Sequence, residues 1–133
     1  MALGKRVASN LPSLQGLRVL VVEDGWQVAD ALKLSLERRG MIVSGPASTA
    51  REAQCLATEC CPSLAIVDVN LQGEMAYEFM DWLHDRGVKV VVISGYEDLP
   101  GSLEKFAGIL HKPFTEMTLL ATLQQAMQPK PKP

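Results

Sequence analysis

The sequence has no surplus of charge of either sign: 13 basic residues face 15 acidic ones, a formal net charge of −2. That balance gives no argument for nucleic acid or an anionic membrane surface as a partner. Long apolar runs are missing too; none approaches the roughly 18 residues of a membrane span. The N-terminal stretch MALGKRVASNLPSLQG has basic residues but no apolar core, so it does not read as a secretory signal. Cysteine is confined to Cys55, Cys60 and Cys61, an odd count in one segment with two adjacent. Neither a disulfide framework nor a paired CxxC zinc pattern fits, and small residues on a helix in a reducing compartment is the simpler reading. Internal repeats and a second domain are absent. A soluble, cytoplasmic, single domain is the default expectation.

What is present is an alternation. Residues 1–16 show no sustained period and read as an irregular arm; residues 129–133 close a polar, proline-rich tail that reads as extended and disordered. Between them, residues 17–128 form the folded domain. LRVLVVE (17–23) is a β-branched run that fits a strand buried on both faces. Val28, Leu32 and Leu36 then recur at helical spacing over 26–39, and Gly40 closes the helix. MIVSG (41–45) predicts a second strand. Thr49 with Glu52 is a capping-box signature, and Ala53, Leu56, Ala57 and Cys60 form the stripe of the helix that follows. LAIVD (64–68) is the third strand. A helix over about 75–86 places Ala76, Phe79, Met80 and Leu83 on one face. VKVVVIS (88–94) and AGILH (107–111) complete five strands. Thr115 caps a last helix to about 127, carrying Leu120, Leu123 and Met127. Met75, Met80 and Met117 read as core. Short apolar strands alternating with helices predict a doubly wound parallel sheet, because parallel neighbours need crossover connections.

In such a sheet, ligands bind beyond the carboxyl ends of the strands. Glu23 and Asp24 follow the first strand and Asp68 ends the third, with Asn70 two residues on. Ser94 ends the fourth, and Lys112–Pro113 follow the fifth. Carboxylates about 4 Å apart repel by roughly 4 kcal/mol per pair at a surface-like dielectric. A divalent cation relieves that repulsion, and an all-oxygen ligand set favours Mg²⁺, or the similar Mn²⁺, over zinc or copper. Beside such a metal and a lysine, Asp68 could itself act as nucleophile toward phosphorus and yield an acyl phosphate.

VVED, IVDVN, VVISGY and LHKPF, in this order and on these strand ends, resemble the receiver domain of bacterial two-component response regulators. The likeness spans about residues 17–127. It implies a flavodoxin-like fold with strand order 2-1-3-4-5. By resemblance Asp68 is the phosphoacceptor, Asp24 binds Mg²⁺ directly and Glu23 acts through water. Asn70 lends its backbone carbonyl to the metal, Ser94 supplies the hydroxyl that moves to the phosphoryl group, and Lys112 binds phosphate. Pro113 follows it through a peptide bond that is usually cis. The implied donor is a sensor histidine kinase or a phosphotransfer protein, and such a domain is not an enzyme beyond its own phosphorylation and dephosphorylation. A chain ending soon after the last helix leaves no room for an output domain, so a stand-alone receiver that signals by binding an unknown protein partner, or shuttles phosphate, is expected.

The sequence also departs from that pattern. Ile109 stands three before Lys112, where an aromatic switch residue is usual. The stretch from Ser94 to Lys112 is about one helical turn short and contains Pro100–Gly101, so the fourth helix should be short or irregular. Gln72 and Ala76 replace a common proline and glycine, which predicts a changed loop without lost chemistry. The ISGY strand end, the missing aromatic and the weak fourth helix together resemble the alphaproteobacterial FAT GUY receivers. Phosphorylation is then expected to order the segment between Glu97 and Phe106.

Competing readings are a phosphorylation-independent binding module, an aspartate-nucleophile phosphohydrolase and a nucleotide or flavin site. The hydrolase wants a second acid where Asn70 stands, and EDGWQ after strand one is no glycine-rich phosphate loop. His84 and His111 lack the helical-bundle setting of phosphotransfer histidines. Trp26 fits either a hydrophobic staple or the mouth of the site. Tyr96 is placed to cover the phosphoryl group against water.

Overall fold

The computed structural model describes residues 13–96 and 99–128. Most of the expected arm, the whole tail, and Glu97 and Asp98 in the expected ordering segment lie outside the described residues. In chain order the elements are β1 (Arg18–Val22), α1 (Trp26–Arg38), β2 (Ile42–Ala47), α2 (Ala50–Cys60) and β3 (Leu64–Asp68). Then come β4 (Asn70–Leu71), β5 (Glu74–Met75), α3 (Tyr77–Asp85), β6 (Lys89–Ser94), β7 (Gly108–His111) and α4 (Glu116–Met127). β2-β1-β3-β6-β7 form one five-stranded sheet, parallel at every pairing. β4 and β5 pair antiparallel as a separate small hairpin. The doubly wound, flavodoxin-like order expected from the sequence is the order found.

Alternation along the strands splits the core in two. Val19, Val21, Ile66, Val91 and Ile93 pack against Leu32 and Leu36 of α1 and Leu119 and Leu123 of α4. Leu20, Val22, Ala65, Val67, Val90 and Val92 pack on the other face against Ala53 and Ala57 of α2 and Phe79, Met80 and Leu83 of α3. Burial on both faces is why these strands read as unbroken apolar runs. Each fully buried Leu or Met there is worth about 1.5–3 kcal/mol relative to an exposed one. Register does the rest. Val22 pairs Val67, Asp68 pairs Ile93 and Ser94 pairs His111, so the strand ends are level at one edge.

Local signals act as the sequence predicts at the helix starts. Thr49 Oγ1 accepts the Glu52 N–H at 3.1 Å, while the Glu52 carboxylate takes the Ser48 N–H at 2.8 Å. Thr115 accepts the Thr118 N–H at 3.1 Å. Several boundaries shift. β2 continues to Ala47, where the sequence suggested an end at Gly45. α3 begins at Tyr77 rather than 75, because Glu74–Met75 pair back onto Asn70–Leu71. Gln72 and Gly73, with φ of 52° and 86°, make the turn between them, as two-residue hairpin turns require. In α4 the fully covered stripe is Leu119, Leu123 and Ala126; Leu120 and Met127 are only partly buried.

Two of the three methionines assigned to the core are not in it. Met80 is buried, but Met75 is 51% and Met117 82% exposed. Met75 sits on the small hairpin outside both helical layers, and Met117 in the first turn of α4 faces away from the sheet.

The fourth helix of the expected fold is a 3-10 turn over Gly101–Lys105, with Pro100 just before it. Proline and glycine shorten it, as their missing donor and backbone freedom dictate. It is nonetheless tied down. Leu103 and Phe106 are buried, and Lys105 Nζ lies 2.6 Å from Asp81 Oδ1 on α3.

Candidate functional site

Four sheet strands deliver polar side chains to the same edge. Glu23 and Asp24 leave β1, Asp68 ends β3, Ser94 ends β6, and Lys112 follows β7. One carboxylate oxygen from each of Glu23, Asp24 and Asp68 falls within 4.8 Å of the others. Asp68 and Glu23 are buried, at 5% and 3% exposure, whereas Asp24 faces solvent. Lys112 Nζ stands 2.7 Å from Asp68 Oδ2 and 2.9 Å from Glu23 Oε1. One ammonium therefore bridges the two buried acids.

Backbone donors orient the remaining oxygens. The Asn70 N–H donates to Asp68 Oδ1 at 3.1 Å, and the Gly25 N–H to Glu23 Oε2 at 2.9 Å. Asp24 Oδ2 accepts the Gln72 N–H at 2.9 Å, from across the hairpin. A proline at that position would have no hydrogen to give. Ser94 Oγ is fully buried and accepts the Tyr96 N–H at 2.9 Å. The Lys112–Pro113 peptide is cis, as the resemblance implied.

The electrostatics are strained. Three negative charges stand against one ammonium, and each carboxylate pair repels by about 3–4 kcal/mol at an effective dielectric near 20. Burial pushes the Glu23 carboxyl above its ordinary value, and the charge of Asp68 adds to the rise; the Gly25 N–H and Lys112 only partly offset them. Burial works against the Lys112 ammonium, but its bonds to Asp68 and Glu23 outweigh that and raise its pKa. Glu23 Oε1 is buried, and the Lys112 ammonium 2.9 Å away is its ion-pair partner. A hard cation would neutralise the excess charge, and the donors are all oxygen, the set that suits Mg²⁺ or Mn²⁺. The residues present fit such an ion.

The structure thus brings together Glu23, Asp24, Asp68, Asn70, Ser94 and Lys112, the positions assigned from the sequence to the phosphoryl and metal site. It also shows contacts that the sequence reading missed. Asn70 Nδ2 donates to the Tyr96 phenol oxygen at 2.8 Å, and Asn70 Oδ1 accepts the Gly73 N–H at 2.9 Å. The Leu-Gln-Gly stretch was the available clue to a tight hairpin there. Trp26 is 71% exposed at the start of α1, so it is not a buried staple. Ile109 lies half-open on β7, with no aromatic in its place. His84 packs edge-on to Phe106, with ring centroids 5.8 Å apart, away from this edge. Among the described residues no helix is long and apolar enough to cross a membrane.

Residues 19–124 match the model of the response regulator receiver domain. The chain is similar in structure to the signal receiver domain of a modulated diguanylate cyclase from Desulfovibrio desulfuricans. That match has 28% identity and a TM-score of 0.76 over 85% of this chain and 94% of that one. The Vibrio cholerae chemotaxis response regulator CheY4 shares the fold at 24% identity and TM-score 0.74, covering 85% of this chain and all (100%) of that one. The response regulator PhyR from Brucella abortus shares it at 22% identity and TM-score 0.75; there 93% of this chain covers 54% of that one. No curated protein matches the chain in sequence.

Proposed function

Since the chain belongs to the response regulator receiver family, whose domains accept phosphoryl groups in Mg²⁺-dependent signalling, we propose that Asp68 is its phosphoacceptor. The donor would be a histidine kinase or a phosphotransfer protein. An Asp68 carboxylate oxygen attacks phosphorus, the phosphorus–nitrogen bond of the donor's phosphohistidine breaks, and the imidazole leaves with the electron pair. The product is an aspartyl phosphate. The observation that carries this reading is the Lys112 bridge between two buried carboxylates beside a third.

Each residue has a task in that step. Lys112 is placed to follow the charge from the Asp68 carboxylate onto the phosphoryl oxygens. The Asn70 N–H keeps the Asp68 plane fixed during attack. Ser94 offers a hydroxyl one residue beyond the register partner of Asp68. Asp24, Asp68 and the Asn70 carbonyl would hold Mg²⁺ or Mn²⁺ directly, with Glu23 acting through water. When bound, the ion supplies positive charge that offsets the build-up on the equatorial oxygens.

The phosphorylated form would be read by a protein partner or pass its phosphoryl group on, in the cytoplasm, with neither nucleic acid nor membrane involved. Beryllofluoride tests the site without a kinase. With Mg²⁺ present it should form a complex that changes tryptophan fluorescence in the parent and leaves Asp68→Asn unchanged. A parent that shows no response, or a variant that responds equally, contradicts the assignment.

A further inference from the structure

Tyr96 touches both loops that flank Asp68. Its main-chain N–H holds Ser94 Oγ at 2.9 Å, and its phenol oxygen accepts Asn70 Nδ2 at 2.8 Å. Asn70 is in turn bonded to the acceptor itself: its N–H reaches Asp68 Oδ1 at 3.1 Å. The other end of the Asn70 carboxamide accepts the Gly73 N–H at 2.9 Å. The carboxamide is therefore tied at both ends, to the hairpin turn on one side and to the loop after β6 on the other. Only the second tie crosses between strand ends.

We propose that Tyr96 is a positioning residue: its phenol fixes the Asn70 carboxamide, and through it sets the Asn70 peptide where its carbonyl serves a divalent cation. This rests on the reading of Asn70 as a backbone ligand given above. Asn70 belongs to β4, a strand of two residues, so little else in regular structure holds it. A small divalent ion demands near-ideal oxygen geometry. Donors already in place cost less ordering on binding, so a lock on the carbonyl raises affinity without touching the ion. The phenol does this while the ring stays 43% exposed, and that much exposure gives it little part in holding the core. Phenylalanine would keep the ring and lose the lock.

The test is a cycle of Tyr96→Phe, Asn70→Ala and the double variant, with Asp24→Asn as control. Free Mn²⁺ is measured by electron paramagnetic resonance during titration, and metal-free unfolding midpoints are recorded for each protein. Tyr96→Phe should weaken Mn²⁺ binding by about three- to tenfold, the range of one net hydrogen bond. Its metal-free midpoint should fall only slightly, because the lost bond is exposed to solvent. Asn70→Ala keeps the carbonyl and N–H, and adding Tyr96→Phe to it should cost nothing more. Equal affinity in the parent and Tyr96→Phe overturns the proposal. So does a loss that persists undiminished in the Asn70→Ala background, or one that tracks a large fall in the metal-free midpoint. A parent that binds no Mn²⁺, or binds it as well after Asp24→Asn, overturns the metal reading and this inference with it.

Discussion

Lys112, just past the end of β7, reaches over β6 to place its ammonium 2.7 Å from Asp68 Oδ2 at the end of β3. The same nitrogen lies 2.9 Å from Glu23, beyond β1. Three strands thus meet through one side chain. Without a cation, this ammonium is what holds the acids together.

Lys112→Met should accordingly destabilise the metal-free protein, by about 1–3 kcal/mol, below the 3–5 of a fully buried broken pair because the ammonium is open to water on one side. The sign with pH follows from its raised pKa. The contribution is fully present below 10.5 and lost as pH rises through the higher folded-state value. Denaturant melts of parent and variant at several pH values check this; a difference that grows on the alkaline side contradicts it.

Asp24→Asn should behave in the opposite way. Removing one of three crowded charges relieves repulsion, so the metal-free variant should be as stable as the parent or more so, by up to about 1 kcal/mol given the exposure of Asp24. Mg²⁺ should then raise the unfolding midpoint of the parent, reversibly on chelation, and leave that of the variant where it is. Thermal scans with Mg²⁺ and with chelator make the comparison.

Ser94→Ala removes a buried hydroxyl that accepts the Tyr96 N–H at 2.9 Å. That N–H then loses its acceptor, so stability should fall by about 1–3 kcal/mol. Phosphoryl uptake from a small-molecule donor should slow by up to about tenfold, the worth of one hydrogen bond to the transferring group. Stopped samples weighed over time give the rate; an unaltered rate removes Ser94 from the step.

The 3-10 segment makes a prediction about dynamics. Backbone bonds close its two ends, Leu103 N–H to Pro100 O and Phe106 N–H to Leu103 O, each 3.1 Å. It is held mainly by Leu103, Phe106 and the Lys105–Asp81 pair. Peptides covering 99–107 should exchange amide hydrogen faster than those covering β6, and should slow when beryllofluoride and Mg²⁺ are added. Phe106→Ala should cost about 3 kcal/mol and abolish that slowing.

The fold was legible because burial on both faces makes β1, β3 and β6 continuous apolar runs, and because Thr49, Thr115 and Gly40 mark helix ends with chemistry that acts locally. The chemical positions were legible for a related reason. A charge that closes an apolar run, as Asp68 does, needs partners, and sheet topology sends Glu23, Asp24, Ser94 and Lys112 to the same edge. What escaped was set by contacts distant in sequence or by backbone alone. The Gln72 N–H that orients Asp24 spans 48 positions and involves no side chain of Gln72. The Asn70–Tyr96 bond spans 26 positions and depends on where two loops end up. Met75 and Met117 look like core by hydrophobicity, yet a hairpin off the sheet and the outer side of α4 put them in water.

The most direct measurement is the intact mass of the protein after incubation with acetyl phosphate and Mg²⁺, beside Asp68→Asn and a chelator control. The account predicts one added phosphoryl group in the parent, none in the variant and none with chelator. A phosphoryl group that persists in Asp68→Asn would contradict the assignment of Asp68, and uptake undiminished by chelator would contradict the role given to Glu23, Asp24 and Asn70.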